Sequence, residues 1–282
     1  MNADTLFYTA RYMKLIGFYQ PCNLLFKLAA FLDQDNKTAS KQWLVLNKKF
    51  PGAGYLKVLK IMHYILKPKT YLEIGVFRGQ SFRLVRPQTH AIGIDPAPKF
   101  EIDEVDNKKI YAITSDDFFS SEKNVTELKG KIDFAFIDGL HTFEQVLKDF
   151  INVEKLTHKN SVVVFHDILP FDAKAAQKNR ETAVWMGDVW KIFPCLSTYR
   201  PDLRLAIIPT APSGLLIVTR LNSSSSILTR NLNDCVNKFD RLNFNDFKKI
   251  EKGMKFIGNN FKAIKQHLER YVNIRNNNQI AG

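Results

Sequence analysis

The sequence has few cysteines and no long apolar run, and each shortage argues against a class of protein. The three cysteines, Cys22, Cys195 and Cys235, are odd in number and widely spaced, which argues against a disulfide framework and favours a reducing compartment. No cysteine–histidine cluster has zinc-site spacing. The apolar stretch 15–32 is broken by polar residues and falls short of the roughly 20 apolar residues of a membrane span. With no clear secretory signal, we expect a cytoplasmic protein.

The positive charge of the chain lies entirely in its two flanks. Residues 1–69 carry 11 Lys and Arg against 3 Asp and Glu, a balance of +8, and residues 222–282 carry 11 against 5, a balance of +6. Residues 70–221 carry 19 against 20 and are almost neutral. This division predicts a neutral core, 70–221, between two basic extensions that either contact an anionic surface weakly or are simply solvated.

The core alternates short apolar runs with helix-length segments. Because most of these runs are continuously apolar, they are typical of strands covered on both faces, and the alternation predicts a parallel sheet. Residues 203–219 read as two strands around a turn, which predicts an antiparallel hairpin at the end of the sheet. Five strands are predicted before this hairpin: 70–75, 90–95, 109–114, 131–138 and 161–167.

Helices are predicted within the core and in both extensions. Within the core, residues 142–156 have one apolar face, and Thr142 with Gln145 forms a capping-box pattern at their start. The N-terminal extension 1–69 is mainly helical in pattern. Beyond a Ser-rich break at 222–226, apolar residues from Phe247 to Tyr271 recur every three or four positions, which indicates one basic helix that either docks onto the core or forms a coiled coil.

Polar and glycine residues stand where the predicted strands end, the edge at which open parallel sheets bind ligands. The first strand ends in "EIGVFRGQS", where Gly75 and Gly79 permit a tight turn. The spacing is not the Gly-x-Gly-x-x-Gly of dinucleotide binders, and Glu73 suits a ligand with an amino group better than a pyrophosphate. The second strand ends at Asp95, whose carboxylate is suited to ribose hydroxyls.

These strand ends resemble those of the class I S-adenosylmethionine-dependent methyltransferases over about 70–220. "EIGVFRGQS" is similar to the first motif of the catechol O-methyltransferase group. The resemblance implies a Rossmann-like α/β fold, with a seven-stranded and mostly parallel sheet whose final strand is antiparallel. It also implies a cofactor site for S-adenosylmethionine, formed by Glu73, Gly75, Gly79, Ser81, Asp95, Ser115, Asp116 and Asp138, in which Ser81 holds the methionine carboxylate and Ser115 and Asp116 border adenine.

The stretch "IDGLHTFEQVLKD" is similar to a second signature, IDG-x-H-x-Y/F, of small-molecule methyltransferases that include macrolide-sugar O-methyltransferases. That resemblance implies His141 as general base, with Asp138 beside it. In the metal-dependent branch, residues at the fourth and fifth strand ends bind magnesium, which implies Asp138, His166 and Asp167 as ligands here. Since His166 departs from an all-oxygen set, Mg²⁺ and Mn²⁺ both stay open.

Residues 171–193 follow the fifth strand, where the resemblance implies a substrate lid. Trp185, Asp188 and Trp190 either line an acceptor pocket or belong to a helix that buries its tryptophans. The sequence gives no basis for choosing between these alternatives.

The leading interpretation is S-adenosylmethionine-dependent methyl transfer to a hydroxyl of a small molecule or sugar. One alternative is a non-catalytic binding protein with a retired methyltransferase core, whose basic arms contact an anionic surface. Another is a nicotinamide-dependent oxidoreductase. Neither arm has the stacking aromatics of a nucleic-acid module. The acceptor and the oligomeric state, a homo-oligomer included, stay open.

Overall fold

The fold is taken from a computed structural model that describes residues 3–16, 19–32, 45–46, 48–100, 107–182 and 184–274. Its centre is one seven-stranded sheet in the order β3-β2-β1-β4-β5-β7-β6. Strands β1 to β5 pair in parallel, and only β7 runs against its neighbours β5 and β6. The strands are β1 (Thr70–Ile74), β2 (His90–Ile94), β3 (Lys108–Tyr111), β4 (Ile132–Ile137), β5 (Thr157–Phe165), β6 (Arg204–Ile208) and β7 (Leu215–Thr219).

This arrangement confirms the predicted fold, including the antiparallel hairpin. The continuous apolar runs have the predicted cause, since both sheet faces are covered and all five residues of β7 are buried. The third strand ends at Tyr111, three residues before the predicted boundary at 114. The fifth begins at Thr157, directly after the preceding helix and four residues before the prediction.

Helices cover both faces of the sheet and form the two extensions. The longest one in the core, α6, spans Phe143–Leu156 and matches the predicted helix. The helices are α1 (Ala3–Ile16), α2 (Tyr19–Leu32), α3 (Tyr55–Leu66), α4 (Ser115–Ser120), α5 (Glu122–Leu128), α6 (Phe143–Leu156), α7 (Ile192–Tyr199), α8 (Ile227–Arg230), α9 (Leu232–Phe239), α10 (Phe244–Glu251) and α11 (Phe261–Tyr271).

The C-terminal extension corrects the prediction of one continuous basic helix. Helix α10 ends at Glu251 and α11 begins only at Phe261, because residues 252–260, which include two glycines, leave the helical conformation. Much of the apolar seam is nevertheless buried on the core, although Phe261 is 44% exposed. Phe247 packs against Trp190 at 5.4 Å between ring centroids, and Leu268 is fully covered. The C-terminal extension therefore docks onto the core, and its described residues do not form a coiled coil. The division at 69 and 221 stays a prediction.

Two of the widely spaced cysteines meet in the fold. Cys195 on α7 and Cys235 on α9 are buried free thiols that hydrogen-bond to each other. This contact could not be predicted from the sequence, because the two residues lie 40 positions apart. It is one of the contacts between the C-terminal extension and the core. In the described ranges, no helix has the length and apolar character needed to cross a membrane.

Candidate active site

The carboxyl ends of β1 and β4 lie against each other and form the floor of the site. The backbone nitrogen of Asp138 donates to the Ile74 carbonyl at 2.9 Å. Gly75 has φ of +89°, and a side-chain carbon there would stand 2.0 Å from the Asp138 carbonyl oxygen. Only glycine therefore fits between the two loops. Gly79, with φ of +68°, is closed in a similar way by the ring of Phe100.

Glu73 is fully buried at the end of β1 and is held by two hydroxyl groups. Tyr71 donates to Oε2 at 2.8 Å, and Ser81 donates to Oε1 at 2.5 Å. Burial, together with the negative charges of Asp138 and Asp95, raises the pKa of Glu73 to about 8 against the effect of these hydrogen bonds. Glu73 is therefore mainly protonated at neutral pH, and a cationic group placed beside it would favour the charged form.

Asp95, at the end of β2, holds the glycine-containing turn in place. Its carboxylate accepts hydrogen bonds from the backbone nitrogens of Phe77 and Ala97, both at 2.8 Å. Phe77 adopts φ of +40°, which is unusual for a residue with a side chain. Each carboxylate oxygen keeps a lone pair for a further donor, so this role is compatible with the predicted contact to ribose.

Ser115 and Asp116 begin α4 and meet two residues of α6 that sequence reasoning missed. The Gln145 amide donates to Ser115 Oγ at 3.2 Å, to Asp116 Oδ1 at 3.0 Å and to Asp149 Oδ1 at 3.1 Å. Asp149 is buried, and its Oδ2 has no hydrogen-bond partner among the described residues. Burial raises the pKa of Asp149 to about 6 against these hydrogen bonds. An orphaned acceptor beside Ser115 is what a ligand amino group would satisfy.

Asp138, His141 and Asp167 form a compact cluster where β4 and β5 end. His141 Nδ1 lies 3.1 Å from Asp167 Oδ2, and His141 Nε2 lies 3.6 Å from Asp138 Oδ1. Asp167 has φ of +60°, an uncommon backbone conformation that turns the chain at the strand end. The imidazole of His141 is 26% exposed, whereas the Asp167 side chain is 5% exposed. The cluster thus presents a histidine ring, backed by two carboxylates, to the surface of the site.

The carboxylates control the protonation of this histidine. Burial lowers the pKa of His141, but the charge of Asp167 and contacts with Asp138 outweigh burial and raise it to about 9. Burial likewise opposes ionisation of Asp138, yet the positive charges of His166 and His141 hold its pKa well below the usual range. His141 is therefore an imidazolium at neutral pH, rather than the half-ionised group that its ordinary pKa near 6.5 suggested.

His166 lies below the cluster instead of facing outwards. Its Nδ1 is 3.1 Å from Asp138 Oδ1, and its Nε2 is 3.1 Å from the Ser213 hydroxyl. The ring of Tyr55 covers it at 4.4 Å between centroids. Both ring nitrogens are thus engaged within the protein, and His166 supports Asp138.

The donor set fits a divalent cation, although with a different third residue from the predicted one. One ligand atom each from Asp138, His141 and Asp167 lies within 4.8 Å of the others. His141 Nδ1 and Asp167 Oδ2 are buried and have no well-aligned hydrogen bond among the described residues. Geometry therefore favours His141 over the predicted His166 as the imidazole ligand.

The lid segment divides into one residue at the site and two that support it. The Trp185 ring stacks on His141 at 5.1 Å between centroids. Asp188 instead lies away from the cluster. Its Oδ1 accepts a hydrogen bond from the Phe143 backbone nitrogen at 2.7 Å, and Lys191 Nζ donates to its Oδ2 at 3.0 Å. Trp190 is buried in the core. The predicted capping box is wrong, because Asp188, and not the Thr142 side chain, caps α6.

Comparison with known proteins agrees with the fold. Residues 72–168 match the family model described as a methyltransferase domain, a segment that runs from Leu72 in β1 to Ile168, just past β5. The sheet order and the glycine turn after β1 are those of a Rossmann-like α/β fold with a mostly parallel seven-stranded sheet. Over this segment the chain is similar to methyltransferase domains, and this similarity supports methyltransferase activity.

Several solved structures are similar to this chain at low identity. The cofactor-bound protein Rv0187 from MTB is 16% identical, covering 69% of this chain and 95% of that chain with a TM-score of 0.47. The O-methyltransferase TomG from Streptomyces achromogenes is 16% identical over 70% and 95%, with a TM-score of 0.44. The methyltransferase PaMTH1 from Podospora anserina is 16% identical over 64% and 87%, with a TM-score of 0.43. No curated protein sequence matches the chain.

Proposed function

We propose that this protein transfers a methyl group from S-adenosylmethionine to a hydroxyl of a small molecule or sugar. The observation that carries the proposal is the cluster of Asp138, His141 and Asp167 at the carboxyl edge of a methyltransferase sheet. The cofactor supplies an electrophilic methyl group on a cationic sulfonium. The protein supplies a base beside that edge, and it orients the two reactants.

His141 is the proposed base, and the two aspartates are positioning residues. Asp167 contacts Nδ1 and Asp138 faces Nε2, so each carboxylate restrains one side of the ring, while Trp185 stacks on its face. The ring must lose its proton before it can accept one from the acceptor. A neighbouring sulfonium cation would favour that loss, because like charges disfavour the imidazolium.

The predicted cofactor residues support binding of a zwitterionic nucleoside. Glu73 provides a buried carboxyl group for the amino group, together with Ser81 for the carboxylate. Asp95 stands at the end of the next strand, in the position proposed for ribose. The orphaned Oδ2 of Asp149 lies in the polar group around Ser115 and Asp116, where we place the adenine amine.

A divalent cation is compatible with the same cluster. Asp138, His141 and Asp167 would hold it, and bound there it would act as a Lewis acid toward the acceptor hydroxyl. An imidazole among the ligands favours a transition metal such as Mn²⁺ over Mg²⁺, which prefers oxygen ligands. As a metal ligand, His141 could not serve as the base, so the two roles make opposite predictions.

A single comparison separates the two roles of His141. Methyl transfer to a panel of hydroxylated acceptors is measured with metal-free enzyme, and again after addition of Mn²⁺ or Mg²⁺. Turnover that is unaffected by a chelator supports His141 as the base. Turnover that requires the metal assigns His141 to the ligand set. Absence of transfer to any hydroxyl under both conditions, despite cofactor binding, contradicts O-methylation.

The two alternative functions receive less support. A nicotinamide-dependent oxidoreductase would use the same sheet edge, but the glycine turn lacks the dinucleotide spacing, and residues 72–168 match a methyltransferase domain. A non-catalytic binding protein leaves unexplained the strained Asp167 backbone and the histidine held between two carboxylates.

A further inference from the structure

The N-terminal hairpin of α1 and α2 exposes a row of large apolar side chains. The spacing of these residues, all on α2, places them on one side of the helix. Their exposed fractions range from 41% to 80%, and within the described residues nothing covers them. We call this row the α2 apolar face: Leu24, Leu28, Phe31 and Leu32.

This face is separate from the contacts that hold the hairpin together. Phe26 and Ala10 are fully buried between the two helices, and the Phe7 and Phe26 rings meet at 5.9 Å. The hairpin thus has its own small core on the inner side. Since burying one such side chain is worth roughly 1.5–3 kcal/mol, an outer row of four favours transfer into an apolar environment.

Charge indicates which apolar environment fits. Lys27 is exposed on α2, next to Leu28 of the apolar face in the sequence, and the helix contains no acidic residue. Residues 1–69 carry a balance of +8, so pairing with a second copy would bring like charges together. Anionic lipid headgroups would instead neutralise these charges, while the apolar side chains enter the acyl boundary.

We propose that the α2 apolar face docks this protein onto a bilayer with anionic lipid headgroups. Helix α2, about 21 Å long at 1.5 Å per residue, lies in the plane of the interface. Its apolar side chains point into the bilayer, and Lys27 stays at headgroup level. This inference is independent of the methylation chemistry, because docking requires neither cofactor nor acceptor.

Vesicle co-sedimentation of the full chain tests the proposal. We expect binding to vesicles of phosphatidylcholine mixed with phosphatidylglycerol, and at least tenfold weaker binding to phosphatidylcholine alone. The variant Leu28→Glu with Phe31→Glu should weaken binding to the mixed vesicles by at least tenfold. Lys27→Gln, which keeps the apolar face and removes one positive charge, should weaken it roughly fivefold, since one basic residue near the surface contributes about 1 kcal/mol.

A charge-matched control distinguishes the face from net charge. Ile227→Glu with Phe256→Glu changes the charge equally at two partly exposed apolar side chains outside the hairpin, and should weaken vesicle binding less than twofold. The milder Leu28→Ala with Phe31→Ala serves if the glutamates disturb folding, which circular dichroism detects.

Two outcomes would overturn the proposal. Equal weakening by both glutamate pairs would mean that net charge alone drives vesicle binding. Failure of the wild type to bind vesicles, together with a dimer that Leu28→Glu and Phe31→Glu dissociate in light scattering, would make the face a subunit interface.

Discussion

His141 combines two properties that are rarely found together, a partly open ring and two close carboxylates. Asp167 approaches its Nδ1 at 3.1 Å, and Asp138 lies 3.6 Å from Nε2. The carboxylates keep the ring oriented, but they also retain its proton, which raises the pKa of His141 to about 9. The residue-scale predictions concern how this ring and Glu73 respond to substitution and pH.

His141→Ala should lower turnover by about 10²–10⁴-fold, because a positioned general base contributes about that much. S-adenosylmethionine binding should change less than about threefold, since the proposed cofactor residues other than Asp138 lie on other loops. The matched control is His158→Ala, which removes an imidazole paired with Asp133 at the opposite end of β4 and β5. Turnover is measured by transfer of labelled methyl. An active His141→Ala enzyme would remove this residue from the mechanism.

The pH dependence of kcat/KM in metal-free enzyme should follow the deprotonation of His141. Since its pKa is raised to about 9, the rate should increase with pH and level off above that value. Asp167→Asn removes the largest charge that favours the imidazolium and should move this rise to lower pH. A profile that is flat from pH 6 to pH 10 would contradict a base at this position.

Glu73 should make the folded state less stable as pH rises. The unfolded chain ionises this group near 4.5, whereas the folded protein retains its proton to about pH 8. Its contribution to the free energy of unfolding therefore falls between these values, by a few kcal/mol. Urea titrations of wild type and Glu73→Gln, compared at pH 5 and pH 8, measure this difference. Equal pH dependence in both proteins would mean that Glu73 is ionised in the fold.

At the scale of elements, the start of α6 depends on a residue 45 positions further along the chain. Asp188 accepts a hydrogen bond from the Phe143 backbone nitrogen. It also forms an ion pair with Lys191, whose side chain is 7% exposed. Lys191 in turn donates to the Asp240 carbonyl, after α9. This chain of contacts links residues 171–193, helix α6 and the C-terminal extension.

Asp188→Ala should lower the free energy of unfolding by about 2–4 kcal/mol, because it removes the helix cap and leaves the buried Lys191 ammonium with only the more distant Asp240 carboxylate, at 3.8 Å. Asp188→Asn keeps an acceptor for the cap and should cost less. Adding Lys191→Met to Asp188→Ala should recover part of the loss, since no unpaired charge then remains. Denaturant titrations measure wild type, Asp188→Ala, Asp188→Asn, Lys191→Met and the double variant. If the losses in the free energy of unfolding from the two single substitutions simply add in the double variant, the Asp188–Lys191 ion pair contributes nothing.

The same element shows where sequence patterns stop being sufficient. The helix over 143–156 follows from its apolar periodicity, but its cap does not, because Asp188 reaches it only through the fold. His166 was predicted as a metal ligand from its place beside Asp167. Its contacts with Ser213 and Tyr55 come from distant segments, and these contacts turn it away from the surface.

At the scale of the whole molecule, the sheet was the most predictable feature. Continuous apolar runs separated by helix-length segments admit few topologies, and the rule that ligands bind at the carboxyl ends of parallel strands selected Glu73, Asp95 and Asp138. The basic C-terminal helix was wrong in its continuity, since periodicity alone does not register a helix break at residues 252–260. The α2 apolar face could not be recognised from the sequence, because the sequence does not give the exposed fractions of its side chains.

Calorimetric titration with S-adenosylmethionine, with NAD as the comparison ligand, is the most direct test of the account. Micromolar binding of S-adenosylmethionine without binding of NAD is the predicted result. S-adenosylmethionine at a concentration 100 times its dissociation constant should also stabilise the folded protein by about 2.7 kcal/mol, which a thermal melt detects. The absence of heat and of thermal stabilisation with S-adenosylmethionine, or tighter binding of NAD, would contradict the proposed cofactor site at the sheet edge.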